Sequence, residues 1–186
     1  MSVLLLSTKD RVPMPWRNGG GITCEIAAWP PGATLEKFDW RVSMAEVRDA
    51  GPFSSFSGVD RVLTIVQGTL ALAIEGRPAV ILSAEELPFC FAGDDACIGE
   101  PLGGPVLDLN VMVRRGRFSA DVQRISNTNL VVPGATCVLV ALSPGRVVLG
   151  SDQWPLATHD ALLLQDETSA PLVAEGAFVM INLMAC

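Results

Sequence analysis

FSSFSGVDRVLTIVQGTLALAIE, residues Phe53–Glu75, is the stretch whose reading decides the fold. Its two apolar runs, Val62–Val66 and Leu70–Ile74, contain the β-branched residues that suit a pleated, half-buried surface. Gln67-Gly68-Thr69 separates them, and Gly68 can take the positive φ of a tight turn, so the stretch predicts a hairpin. Arg61 stands at the mouth of the first run. A full charge there must face water or find a partner.

Outward from this stretch the same rhythm recurs. Strand-like runs fall at Thr23–Trp29, Trp40–Val47, Val80–Leu82, Val106–Val113, Cys137–Leu142, Val147–Leu149, Ala161–Leu164 and Phe178–Leu183. The 17 glycines and 13 prolines fall mainly between them. Many short strands punctuated by turn residues predict an all-β chain, a sandwich or barrel, with no helix beyond a short turn near Ser83–Leu87. The most polar long stretch, Arg114–Ser126, reads as a seam between two antiparallel β-barrel lobes packed in one chain, residues 1–118 and 119–186. Its arginines, Arg114, Arg115 and Arg117, read as a solvated connection.

Composition narrows the function classes. Of 186 residues, 49% are hydrophobic and 18% charged, which supplies a core and argues against disorder. The net charge of −7 repels phosphate backbones, so no nucleic-acid partner is expected. The apolar run of MSVLLLSTKDR stops at Leu6, too short for a signal peptide or a membrane span. Five scattered cysteines (Cys24, Cys90, Cys97, Cys137, Cys186) without a C-x-x-C pair suit reduced thiols, with Cys90–Cys97 the one pairing to consider. These features predict a cytoplasmic protein with no membrane partner. An unpaired sheet edge and the high apolar content make a homodimer a natural association.

Strand alternation then sorts side chains onto faces. Thr23 and Glu25 share one face of Ile22–Ile26; Arg41 and Ser43 oppose Trp40 and Val42; Asp108 and Asn110 oppose Leu109 and Val111. Each polar face taken alone suits the wet side of an antiparallel sheet. Taken together, their small polar members are poor solubilising residues, whereas surfaces favour Lys and Glu. A barrel interior lined by Glu25, Arg41, Arg61, Asp108 and Asn110 would bind a small polar or anionic molecule. Arginine's planar fork suits a carboxylate, and the acids would hold the forks in place. Pro15-Trp16-Arg17-Asn18-Gly19-Gly20-Gly21 is either a tight loop leading into the Thr23 strand or, with Trp16 and Arg17, the rim of the same pocket. It lacks the Lys-Ser/Thr and the strand–turn–helix context of a phosphate or dinucleotide loop.

Catalytic groups are sparse. His159 is the one histidine, flanked by Thr158 and Asp160, and reads as a turn residue. A histidine- or cysteine-rich metal site is therefore excluded within one chain, no nucleophile–histidine pair can be assembled, and no cofactor is expected. An all-oxygen site using Glu25 and Asp108 has little support.

PWRNGGGITCEIA (Pro15–Ala27), FDWRVSMAEV (Phe38–Val47), GPFSSFSGVDRVLTIVQG (Gly51–Gly68), PFCFAGD (Pro88–Asp94) and GGPVLDLNVMVRRG (Gly103–Gly116) resemble the HutD/Ves family of small cupin proteins. The resemblance covers residues 13 to 117 in order and spacing. It implies a bicupin, two jelly-roll (cupin) lobes with the pocket in the N-terminal one, and an association with bacterial histidine utilisation in which formylglutamate is a suggested ligand. It also implies signature positions at Trp16, Arg17, Asn18, Thr23, Glu25, Arg41, Ser43, Phe53, Ser54, Phe56, Arg61, Asp108 and Asn110. The histidine set of metal-dependent cupins is missing: the strand that would carry it reads Ser57-Gly58-Val59-Asp60-Arg61.

Two functions compete. One is a metal-free module that binds a small, formylglutamate-like carboxylate and acts as a sensor or regulator without catalysis. The other is a metal-independent isomerase or hydrolase with Glu25 or Asp108 as general base. Burial raises a carboxyl's pKa and nearby guanidiniums lower it; two arginines so close predict that the lowering wins, which favours binding.

Overall fold

The structure is a computed structural model that describes residues 2–132, 136–165 and 169–186. Its strands are β1 (Ser2–Leu6), β2 (Pro13–Pro15), β3 (Gly21–Trp29), β4 (Trp40–Val47), β5 (Gly51–Pro52), β6 (Val59–Gln67), β7 (Thr69–Ile74), β8 (Val80–Ser83) and β9 (Phe89–Ala92). They continue with β10 (Cys97–Pro101), β11 (Val106–Arg114), β12 (Phe118–Val132), β13 (Thr136–Ala141), β14 (Gly145–Leu149), β15 (Asp152–Leu156), β16 (Ala161–Gln165) and β17 (Ala170–Ala185). Every pairing described is antiparallel, and one 3-10 turn, Thr8–Asp10, is the helical element among the described residues. No described helix is long and apolar enough to cross a membrane.

The chain forms two compact units: residues 12–118, and residues 1–11 together with 119–186. The first eleven residues group with the C-terminal part because β1 pairs along its length with β16, from Ser2↔Gln165 to Leu6↔Ala161.

In the unit of residues 12–118, a six-stranded sheet runs β2-β3-β4-β11-β6-β9 and a four-stranded sheet runs β5-β10-β7-β8. Leu63 and Ile65 of one sheet and Leu70, Leu72 and Ile74 of the other meet in one buried cluster, with Phe91 and Val106. The predicted hairpin is corrected here. Both runs are strands, but β6 pairs with β11 and β9, whereas β7 pairs with β8 and β10. Gly68 (φ +85°) is the corner at which the chain leaves one sheet for the other. A Cβ there would stand 2.9 Å from the Pro105 carbonyl oxygen, so the corner needs glycine both for its φ and for the close backbone.

In the other unit, a sheet runs β1-β16-β13-β17-β14-β15, with β12 beside β17. Cys137, Leu139, Leu162, Leu164, Phe178 and Met180 fill its core. The polar seam falls where the two units divide, between residues 118 and 119, but residues 118–132 are one long strand of alternating exposure rather than a connector. The short turn near Ser83–Leu87 is closed by Glu86 N–H donating to Ser83 O (3.2 Å) and does not become a helix. The five cysteines are free thiols.

Candidate functional site

The cavity follows from the register of three strands. β11 lies between β4 and β6, and cross-strand pairing sets Arg41 and Arg61 on either side of Met112, Ser43 and Leu63 on either side of Asn110, and Ala45 and Ile65 on either side of Asp108. Side chains two residues apart share a face, so all of these point one way. With strands about 4.8 Å apart, the two arginine backbones stand roughly 10 Å apart. On β3, Glu25 is opposite Ser43 and Thr23 opposite Ala45, just before a bulge at Ile26.

This face lines a cavity of about 700 Å³. Eleven of the twelve residues singled out from the sequence line it: Trp16, Arg17 and Asn18 from the glycine loop, Thr23, Arg41, Ser43, Arg61, Asp108 and Asn110 from strands, and Ser54 and Phe56 from the β5–β6 loop. Glu25 is the exception. It stands behind Arg41, accepting a hydrogen bond from Arg41 Nε at 2.7 Å. Arg41 is 4% exposed, and its Nη1 donates to Ser43 Oγ at 3.3 Å.

Arg61, 5% exposed, is held differently. Its guanidinium lies among three rings, 4.8 Å from the centroid of Phe91, 5.5 Å from Phe53 and 5.9 Å from Phe56. Nε donates to Asn110 Oδ1 and Nη1 to the Ser54 carbonyl, both at 3.4 Å. Among the described residues no carboxylate forms a salt bridge with it. The expectation that acids hold both forks therefore applies to Arg41 alone. Ring quadrupoles and neutral oxygens stabilise Arg61 in place of a counter-ion. Burial pulls its pKa down, while Cys97 and Asp108 act in the other direction.

Asp108 overturns the second electrostatic expectation. It is 2% exposed, and burial pushes its carboxyl up to about 7 despite the opposing pull of Arg61. Desolvation wins because its cross-strand neighbours, Ala45 and Ile65, are apolar and both guanidiniums are engaged elsewhere.

The rim is built by close approaches. Trp16 N–H donates to Gly21 O (2.9 Å), Gly19 N–H to Trp16 O (3.0 Å), and the Trp16 indole Nε1 to Thr23 Oγ1 (2.8 Å). The glycine loop is thus both a tight turn and part of the cavity wall. A Cβ on Gly99 would stand 2.5 Å from the Phe53 ring, so β10 keeps a glycine where that ring lies. Phe53 in turn meets Trp16 edge-on, centroids 5.9 Å apart.

Phe53, a signature position of the resemblance, lines the cavity as well, and so do Leu35, Glu36, Ala45 and Met112, which were not among the candidates drawn from the sequence. Ala45 and Met112 sit on the alternating face and were passed over as apolar; Leu35 and Glu36 lie in a loop, where no period exists. The reading of the arginine run as a solvated connection holds for Arg115 and Arg117, exposed in the turn of residues 115–117, and is corrected for the half-buried Arg114. Arg114 bonds loop carbonyls, Arg115 bridges Asp60 (2.7 Å) and Asp94 (3.0 Å), and Arg117 pairs with Asp39 (2.7 Å). His159 is a turn residue (φ 69°) whose N–H donates to Ala141 O at 2.7 Å. Among the described residues no three His, Cys, Asp or Glu side chains converge to hold a metal ion.

Comparison with known proteins gives a match to the model of the HutD family over residues 8–181. A Pseudomonas putida protein described as an uncharacterized 21.2 kDa protein in the hutC 3' region is 32% identical over 186 residues, covering 97% of each chain. Protein Ves of Citrobacter koseri is 37% identical over 164 residues, covering 82% of this chain and 83% of its own. The solved structure of HutD from Pseudomonas fluorescens SBW25 (formate condition) superposes with a TM-score of 0.89 at 29% identity over the whole of both chains. At the level of fold alone, the Escherichia coli pirin YhhW has a TM-score of 0.65 at 11% identity, covering 99% of each chain, which marks the fold as cupin-like.

Proposed function

We propose, from the premise that this chain belongs to the HutD family, that its cavity binds a small carboxylate metabolite and that the protein acts as a sensor or regulator linked to histidine utilisation. One observation carries the reading: Arg61, nearly buried and facing a cavity, has no carboxylate salt-bridge partner among the described residues. A carboxylate ligand would supply the missing negative charge in a place where water competes poorly. Arg41, pinned by Glu25, presents a second guanidinium across Met112, and Ser43 and Asn110 offer neutral hydrogen bonds between the two. A formylglutamate-like molecule, small and anionic, fits a cavity of about 700 Å³. In this reading the two units are the lobes of a bicupin, and the protein works in the cytoplasm without a nucleic-acid or membrane partner.

The test is isothermal titration of N-formyl-L-glutamate, glutamate and formate into the wild type and Arg61→Met. Methionine keeps contact with the three rings and removes the charge. Loss of at least about 100-fold in affinity, about 2.7 kcal/mol, is expected for a buried charge partner. A folded Arg61→Met protein that binds like the wild type overturns the reading.

Asp108 favours a second reading. A carboxyl with a pKa of about 7 in a cavity is matched to general acid–base chemistry. Asp108, rather than the ion-paired Glu25, is then the base of a metal-independent enzyme. Turnover of one of the same probes, abolished in Asp108→Asn, would move that reading ahead.

A further inference from the structure

Arg114 closes β11 on the same face as Met112 and, just beyond the cavity lining, reaches two loops at once. One is the 30–39 segment between β3 and β4; the other is the 53–58 segment between β5 and β6. Its Nη1 donates to Ser57 O at 3.0 Å, and its Nη2 to Glu36 O at 3.2 Å and Phe38 O at 3.5 Å. Its guanidinium also lies 5.4 Å from the centroid of Phe38. Both loops wall the cavity, the first through Leu35 and Glu36, the second through Phe53, Ser54, Ser55 and Phe56. Phe38 meets Phe56 edge-on at 6.3 Å, and Phe56 carries the Arg61 guanidinium at 5.9 Å. A packed, hydrogen-bonded path thus runs from Arg114 to the charge at the site.

We propose that Arg114 is a positioning residue, the clasp that holds the 30–39 and 53–58 loops together as the movable wall of the cavity and so sets how often that wall opens. Its acceptors are all main-chain carbonyls. Main-chain acceptors give the loop sequences freedom to vary while the clasp holds, and each bond is charge-assisted. A planar fork reaches two loops where an ammonium reaches one point, so lysine is a poor replacement. Arg115 and Arg117 do other work. Arg115 ties Asp60 of β6 to Asp94 just after β9, and Arg117 ties Asp39 at the end of the first loop, so neither side chain bridges the two loops.

The chain offers a selective readout. Lys9 and Lys37 are its two lysines. Lys37 is exposed in the first clasped loop, whereas Lys9 lies in the 3-10 turn of the other unit. A lysine-specific protease acting on the full-length protein reports loop opening at Lys37 and opening elsewhere at Lys9. Arg114→Ala is expected to speed cleavage after Lys37 about tenfold while leaving the rate at Lys9 unchanged. Arg114→Lys should fall between that variant and the wild type, and Arg115→Ala should leave Lys37 at the wild-type rate. If Arg114→Ala does not fold, the ordering of Arg114→Lys against Arg115→Ala decides. Wild-type cleavage at Lys37 in the Arg114 variants overturns the proposal, as does equal acceleration at both lysines. This test uses no ligand, so it stands or falls separately from the identity of the bound carboxylate.

Discussion

The two units answer the same packing problem with different inward residues. In the unit of residues 1–11 and 119–186, β13 turns Cys137, Leu139 and Ala141 inward and β17 adds Phe178 and Met180, and these fill the core. In the unit of residues 12–118, β4 presents Arg41, Ser43 and Ala45, β11 presents Asp108, Asn110 and Met112, and the result is a cavity. Buried titratable groups follow the same division. Burial pushes the Cys137 thiol up to about 12, so it stays neutral at every ordinary pH. Asp160, in the filled unit, is pushed up by burial too, but N–H groups of Thr8 and Ala157 and the hydroxyls of Thr8 and Ser7 outweigh that and hold it below its ordinary value. Among the described residues no such ring of donors surrounds Asp108, and it goes up to about 7. The filled unit satisfies its buried acid internally; the hollow unit leaves charge and hydrogen-bonding capacity open to a visitor.

The largest test of this contrast is pH. Asp108 titrates near its ordinary 3.8 in the unfolded chain and near 7 in the fold. Between these values the folded protein holds a proton that the unfolded chain has released. Stability contributed at low pH is therefore lost as pH rises through about 7, by on the order of 4 kcal/mol. Asp160 has the opposite sign, with stability lost only as pH falls below its ordinary range. Denaturation of wild type and Asp108→Asn from pH 4 to pH 8 should show the variant gaining on the wild type by that amount. Parallel curves would mean that the hollow unit's acid is as well satisfied as the filled unit's.

A second test hollows out the filled unit. Leu139 is fully buried in its core, so Leu139→Ala should cost about 3 kcal/mol in urea denaturation, by lost transfer energy and a new void. A loss below about 1 kcal/mol would show that this core collapses readily, and the contrast between filled and hollow would weaken.

The smallest effect is at the wall. Gly99→Ala places a methyl group 2.5 Å from the Phe53 ring, which must shift and take its contact with Arg61 along. Overpacking should cost about 1–3 kcal/mol of stability, with carboxylate affinity falling alongside. Unchanged affinity would show that the ring is free to move without consequence for Arg61.

Most strands were legible because a period of two is a local property. Trp40–Val47 is a strand over the residues that the sequence suggests, and the alternation of Arg41 and Ser43 with Trp40 and Val42 places their side chains on opposite faces without reference to any partner. β12 was missed because a one-sided strand with a wet face looks like a polar connector when composition alone is weighed. The HutD/Ves resemblance came from motifs whose residues the structure brings to one cavity, including Ser54 and Phe56 in a loop that has no period to read.

What the sequence determined by itself was therefore the strand class, the faces and the family, all carried by short-range pattern. Tertiary structure alone decided three things. Gly68 is a corner between sheets, because β6 takes β11 and β7 takes β10 as partners, strands that lie far along the chain. Arg61 is held by rings and carbonyls rather than by an acid, because three separate segments converge on it. Asp108 sits near neutrality, because the cost of burying a charge depends on how many donors surround it, and that is a property of the folded neighbourhood.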